Sequence, residues 1–147
     1  MEARFETFTA LITKIGRNVK KIKNQEMAEY GLRSIHVSCL YYIGLSDKIT
    51  ATELSERCEE DKATISRAVD YLEENGFVIC ESKSQKRYKS PIILTDSGRE
   101  AAEKICEKVD LVLKRVSTVL TEEERVSFYK SLSVISDRLD ECAKNII

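Results

Sequence analysis

Asp61-Lys62-Ala63-Thr64-Ile65-Ser66-Arg67-Ala68-Val69-Asp70-Tyr71-Leu72-Glu73-Glu74-Asn75-Gly76-Phe77 carries its own start and stop signals. A short acceptor side chain such as Asp61 satisfies the orphan amides of a first helical turn. Asn75-Gly76 closes the helix, because glycine enters the left-handed conformation without cost and Phe77 can fold back on the last turn. Between these ends Ile65, Val69 and Leu72 fall on one face at spacings of four and three. Lys62, Thr64, Ser66, Arg67, Asp70 and Tyr71 are left facing out. A capped helix with a polar, basic outer face at its N-terminal end suits a DNA major groove.

Moving outward, Thr50-Ala51-Thr52-Glu53 is a capping box, a hydroxyl followed three residues on by a carboxylate. The helix it opens carries Leu54 and Cys58 and is expected to end near Glu59 or Glu60. Two short helices joined by so tight a turn form a helix-turn-helix. Lys48-Ile49-Thr50 is expected as a very short strand. On the other side, Phe77-Val78-Ile79-Cys80-Glu81 is apolar and β-branched, Ser82 to Ser90 is polar and basic, and Ile92-Ile93-Leu94 is apolar again. That pattern predicts a β-hairpin with a charged tip, with Pro91 confining the second arm to an edge or to its start. A helix-turn-helix followed at once by such a hairpin is a winged helix. Its tip residues Lys86, Arg87, Tyr88 and Lys89 would lie beside the helix, within reach of phosphates or a minor groove.

The two ends of the chain read as long helices. Phe5, Phe8, Ile12, Ile15, Val19 and Ile22 alternate by three and four, with Lys14, Arg17, Lys20, Lys21 and Lys23 alongside. Gly31 breaks this pattern, and a second helix fits Ser34 to Ile43. Thr95-Asp96-Ser97-Gly98 caps a helix whose stripe is Ala102, Ile105, Val109, Val112, Val116 and Val119. Thr121 caps a further one, with the stripe Phe128, Leu132, Ile135, Leu139, Cys142 and Ile146. The last two stripes hold more apolar surface than a small winged domain can cover, which points to a second copy as the partner, while the first fits either a helix packed on its own domain or one in that interface.

Composition bounds the function class. The 147 residues carry a formal net charge of -1, so DNA contact has to come from local basic patches rather than from the overall field. No apolar run approaches a membrane span and the start of the chain has no signal-peptide pattern, so a cytoplasmic protein without membrane partners is expected. The five cysteines are odd in number and well separated, which argues against a disulfide framework or zinc site. Most are expected as buried thiols, and the single histidine, His36, as a partly exposed helical residue. No metal, cofactor or catalytic group is expected, since a cysteine nucleophile would need an activating base that the sequence does not supply.

With these elements in place, the chain resembles the MarR (multiple antibiotic resistance regulator) family of winged-helix transcription factors. The resemblance is carried by Thr52-Glu53-Leu54-Ser55-Glu56-Arg57, by the stretch from Asp61 to Val78, and by Leu94-Thr95-Asp96-Ser97-Gly98. It implies a mainly α fold with a small β-hairpin wing, in which residues 32–95 form the DNA-binding region and residues 1–30 and 96–147 a helical dimerisation region. It further implies a homodimer reading a pseudo-palindromic operator on double-stranded DNA, usually as a repressor, with many members released by a small-molecule effector or an oxidant acting near the junction of the two regions. At the wing tip the family usually carries Asp, a basic residue and Arg, where this chain has Gln85-Lys86-Arg87.

Roles follow from position. Thr64 and Arg67, about one turn into the helix, are candidates for base edges, through a thymine methyl and a guanine respectively. Lys62 and Ser66 are expected on phosphates, and Ala63 is counted among the DNA-contacting residues. Lys86, Arg87, Tyr88 and Lys89 are the wing contacts. An effector pocket between the two regions would draw on Tyr41, Tyr42 or His36. The peroxide-sensing relatives place a reactive cysteine in the first helix, and Phe5 to Ile22 contains none. The alternative is a winged-helix interaction scaffold whose basic face meets protein and reads no DNA sequence.

Overall fold

The computed structural model describes residues 4–81 and 89–145. Its elements are α1 (Arg4–Glu26), a 3-10 turn (Ala28–Tyr30), α2 (Ser34–Gly44), α3 (Ala51–Cys58), α4 (Lys62–Glu74), β1 (Val78–Cys80), β2 (Ile92–Leu94), α5 (Asp96–Ser117) and α6 (Glu122–Asn145). The mainly α winged-helix fold expected from the sequence is present. The chain divides into two units, residues 1–108 and 109–147, with the division inside α5.

In the first unit, α2, α3 and α4 pack on one another, and α2 and α4 pack on the hairpin. Leu40, Leu54, Ile65, Leu72 and Ile105 are among the fully buried side chains. Each such Leu or Ile contributes about 1.5–3 kcal/mol relative to an exposed position. Ile65, Val69 and Leu72 form the inward face of α4 as their spacing predicts, and Ala68 joins them. The hairpin is antiparallel, with Val78 opposite Leu94, Ile79 opposite Ile93 and Cys80 opposite Ile92. Its second arm begins just after Pro91, whose carbonyl accepts the Glu81 N–H at 2.9 Å. The strand expected at Lys48-Ile49-Thr50 reduces to one bridge, Ile49 to Ile92.

Three joints fix this unit. At the end of α4 the Phe77 N–H donates to the Leu72 carbonyl (2.8 Å) and the Gly76 N–H to that of Glu73 (3.1 Å), with Gly76 at φ 77°. This is a Schellman closure, so the residues that end the helix also aim the chain into β1. At the start of α5, Thr95 Oγ1 accepts from the Gly98 N–H (3.1 Å), and its hydroxyl donates to the Gly76 carbonyl (2.5 Å). Gly98 itself presses on the Phe77 carbonyl: a Cβ there would lie 1.9 Å from that oxygen. Along α1, residues 11–20 are all exposed, including Leu11, Ile12, Ile15 and Val19.

In the second unit the end of α5 and α6 are joined by a turn. A capping box closes it: the Thr121 N–H donates to Glu124 Oε2 (2.8 Å) and the Glu124 N–H to Thr121 Oγ1 (3.2 Å). No described residue of α6 is buried. Val126, Phe128, Val134 and Leu139 are all exposed. Because α5 ends at Ser117, Val119 does not continue its stripe and lies in the turn, 76% exposed. Ile146 lies outside the described residues.

Candidate nucleic-acid interface

The site is built on the turn between α3 and α4. α3 starts with the expected capping box, in which the Thr50 N–H donates to Glu53 Oε2 (2.8 Å) and the Glu53 N–H to Thr50 Oγ1 (3.3 Å). It ends at Glu59, which takes φ 53° and ψ 44°, a left-handed conformation uncommon for a residue with a side chain. Two residues later Asp61 caps α4, its Oδ1 accepting from the Thr64 N–H at 2.7 Å.

Asp61 does more than cap. The Thr64 hydroxyl donates to Asp61 Oδ2 (2.9 Å), and Arg67 Nη2 donates to Thr64 Oγ1 (3.4 Å). The two base-edge candidates are therefore linked in one chain along the outer edge of α4. The Thr64 N–H, then its hydroxyl, hold the Asp61 carboxyl below its usual pKa. An ionised Asp61 at the positive end of the helix offsets the dipole there. Lys62, Ala63 and Arg67 are exposed, whereas Thr64 and Ser66 are half-buried. Ser66 and Lys62 line a groove of about 360 Å³ together with Ala51, Thr52 and Cys80. Of the wing candidates, Lys89 is exposed, and Lys86, Arg87 and Tyr88 lie outside the described residues.

Tyr71 is not part of the outward edge. Its hydroxyl donates to the Gly31 carbonyl (2.7 Å), and its ring stacks on His36 with centroids 4.2 Å apart and planes 13° from parallel. His36, expected to be partly exposed, is buried at 8% exposure, and its Nδ1 accepts from the Arg33 N–H at 3.0 Å. Burial first, then the Arg33 charge, lower its pKa below 6.5. These partners lie 3 and 40 residues apart, and nothing in local spacing announces the longer contact. The cysteine expectation also fails in part: Cys39 is buried, Cys58, Cys80 and Cys106 are half-buried, and Cys142 is exposed. A second cavity, of about 750 Å³, opens between α1, α2 and the α3–α4 turn; Lys20, Asn24, Arg33, Ser38, Cys58 and Thr64 are among its walls.

A sequence model of the MarR family matches residues 30–87, which run from the 3-10 turn through the helix-turn-helix to the hairpin. This segment is similar to the MarR family. The chain is 26% identical over 96 residues to the uncharacterized HTH-type transcriptional regulator YfiV of Bacillus subtilis (strain 168), covering 65% of itself and 60% of YfiV. It thus spans about three fifths of that relative. It is 26% identical over 140 residues to the HTH-type transcriptional repressor YetL of the same organism, covering 91% of itself and 81% of YetL. Among solved structures, a MarR family regulator from Neisseria meningitidis superposes with a TM-score of 0.81 at 17% identity, over 98% of each chain. Staphylococcus aureus MepR in complex with DNA does so with a TM-score of 0.81 at 18% identity, over 89% of this chain and 97% of MepR. At these identities the structural likeness establishes the fold. MarR family members are transcription regulators, not enzymes. Among the described residues no helix is long and apolar enough to cross a membrane.

Proposed function

We propose that this chain is a MarR family regulator, a cytoplasmic homodimer that binds a pseudo-palindromic operator on double-stranded DNA and represses transcription. The observation that carries the reading is the outer edge of α4, where Lys62, Ala63 and Arg67 are exposed and Asp61, Thr64 and Arg67 are bonded in series. Arg67 and Thr64 would meet base edges, and Lys62, Ala63 and Ser66 the phosphates of the same groove. Lys86, Arg87, Tyr88 and Lys89 are assigned to the wing contact. Residues 32–95 would be the DNA-binding region, and residues 1–30 and 96–147 the dimerisation region.

Dimerisation is supported by apolar side chains left exposed in both units, such as Ile15 at 53% and Leu139 at 52%. A repressor role is supported by the similarity to the transcriptional repressor YetL, and DNA binding by the likeness to MepR, whose structure is a DNA complex. The 750 Å³ cavity beside the α3–α4 turn supplies room for a small-molecule effector that would displace the helix from DNA.

Selection of bound duplexes from a random pool at fixed salt tests this reading. A pseudo-palindromic motif should be enriched, and binding to it should weaken steeply as salt rises, because neutralised phosphates release counterions. Enrichment of no motif would sink the assignment and favour an interaction scaffold.

A further inference from the structure

α1 has two unlike sides. At about 3.6 residues per turn, Ile12, Ile15, Val19 and Ile22 gather on one side, and Lys14, Arg17, Lys20 and Lys21 on the opposite one. All of these residues are exposed. No acid lies between Lys14 and Lys23, in a chain whose formal net charge is -1. A second copy, as proposed above, would cover the apolar side and leave the basic side in water.

The basic side ends beside the helix assigned to the major groove. Lys20 and Arg33 stand with Thr64 around the cavity of about 750 Å³, where Glu60 is the acid among the walls. Asn24, about one turn after Lys20, accepts the Ser34 N–H at 2.6 Å and seats this side of α1 against the start of α2. On the other flank of α4, Lys62 and Ser66 share the 360 Å³ groove with Cys80 and Ile92 of the hairpin. α4 therefore carries cations on both flanks. A major groove is about 12 Å wide and is walled by two phosphate backbones, so a helix lying in it has phosphates on both sides.

These cations are also not neutralised within the protein. Among the described residues, Lys14, Arg17, Lys20, Lys21 and Arg33 form no ion pair. By contrast, Lys104 and Lys108 hold Glu100 and Glu26 at 3.4 and 2.9 Å, and Lys23 donates to Ser38 Oγ at 2.9 Å. An unpaired cation neutralises a phosphate directly, and the counterion condensed there is released. A paired one must first break its own contact.

We infer that Lys20 and Arg33, backed by Arg17 and Lys21, form a second phosphate-binding surface that holds the DNA backbone on the flank of α4 opposite the hairpin. The inference rests on the DNA reading proposed above and adds no sequence readout, because phosphate contacts fix register and carry no base information. It makes α1 a coupler, with the second copy on one side and the backbone on the other.

The test follows the full-length protein by fluorescence anisotropy over a salt series, on the selected motif and on an unrelated duplex of the same length. Lys20→Gln and the double variant Lys20→Gln/Arg33→Gln are compared with the wild type. Both side chains are exposed, and the Arg33 N–H that bonds His36 belongs to the main chain, so the fold is kept. Each lost phosphate contact lowers the slope of log affinity against log salt by about 0.9. The slope should therefore fall by about 1 in the single variant and about 2 in the double, on both duplexes. Preference for the motif over its single-base variants should not change. Slopes equal to the wild type overturn the inference, and so does a changed base preference at an unchanged slope. Unchanged slopes with lost co-sedimentation on phosphatidylserine vesicles would assign this side to a membrane surface, which overturns it equally. If selection enriches no motif, the operator reading falls, while the slopes on the unrelated duplex still decide the phosphate surface. Absence of binding to any duplex at low salt overturns both.

Discussion

The Tyr71 hydroxyl, on the helix assigned to the major groove, donates at 2.7 Å to the carbonyl of Gly31, 40 residues earlier in the chain. Its ring lies flat on His36 at the start of α2. The far end of α4 is thereby tied to the junction between α1 and α2, while its near end stays open. Tyr71→Phe keeps the stacked ring and removes only the donor. It should cost about 0.5–1.5 kcal/mol in urea unfolding, and an unchanged midpoint would show that the bond contributes nothing.

His36 gives this contact a pH dependence. Its folded pKa lies below 6.5 because burial and the Arg33 charge disfavour the imidazolium. The unfolded chain therefore takes up the proton first as pH falls. Stability should be complete above about pH 6.5 and should decline below it, towards the lower folded pKa. Thermal melts between neutral and mildly acidic pH should show the decline in the wild type, and His36→Gln should flatten it.

Gly98 tests the joint between hairpin and α5. An added Cβ would lie 1.9 Å from the Phe77 carbonyl oxygen, so α5 or the strand entry must move. Gly98→Ala is expected to destabilise by roughly 1–3 kcal/mol or more, the range of an overpacked core. A melt matching the wild type would mean that the close approach relaxes without cost.

On DNA, Arg67 and Lys62 should behave differently. Arg67→Ala should cost roughly 1–3 kcal/mol and relax preference at particular base pairs, whereas Lys62→Ala should weaken all duplexes alike and lower the salt slope by about 1. Fluorescence anisotropy over a salt series, on the selected motif and on single-base variants, separates the two. Identical profiles would remove Arg67 from the reading surface.

Ile15 and Leu139 test the partner. Both are about half exposed in the single chain, at 53% and 52%, so a charge at either position does not disturb the fold of one copy. Ile15→Glu and Leu139→Glu should sediment as monomers at concentrations where the wild type is a dimer, with secondary structure unchanged by circular dichroism. Dimers in both variants would place the interface elsewhere.

Local signals made most of the fold legible. Thr50 with Glu53, Asp61, Thr95 and Thr121 each place a helix start, because a cap satisfies amides within three residues of itself. Asn75-Gly76-Phe77 places a stop by the same short-range logic. The three-and-four spacing of Ile65, Val69 and Leu72 marked the buried face correctly. It misled at Val119, because a stripe continues on paper after the last helical hydrogen bond has been made.

What the sequence alone determined is therefore the order of elements, the ends of the helices and the outward position of Lys62 and Arg67. Only the tertiary structure decided how polar residues are spent when distant segments meet. It turned Tyr71 from the outer face onto Gly31 and His36, and it buried His36. The physical reason is range: caps and periodicity act within a few residues, whereas these contacts exist only after the core has fixed which helices are neighbours.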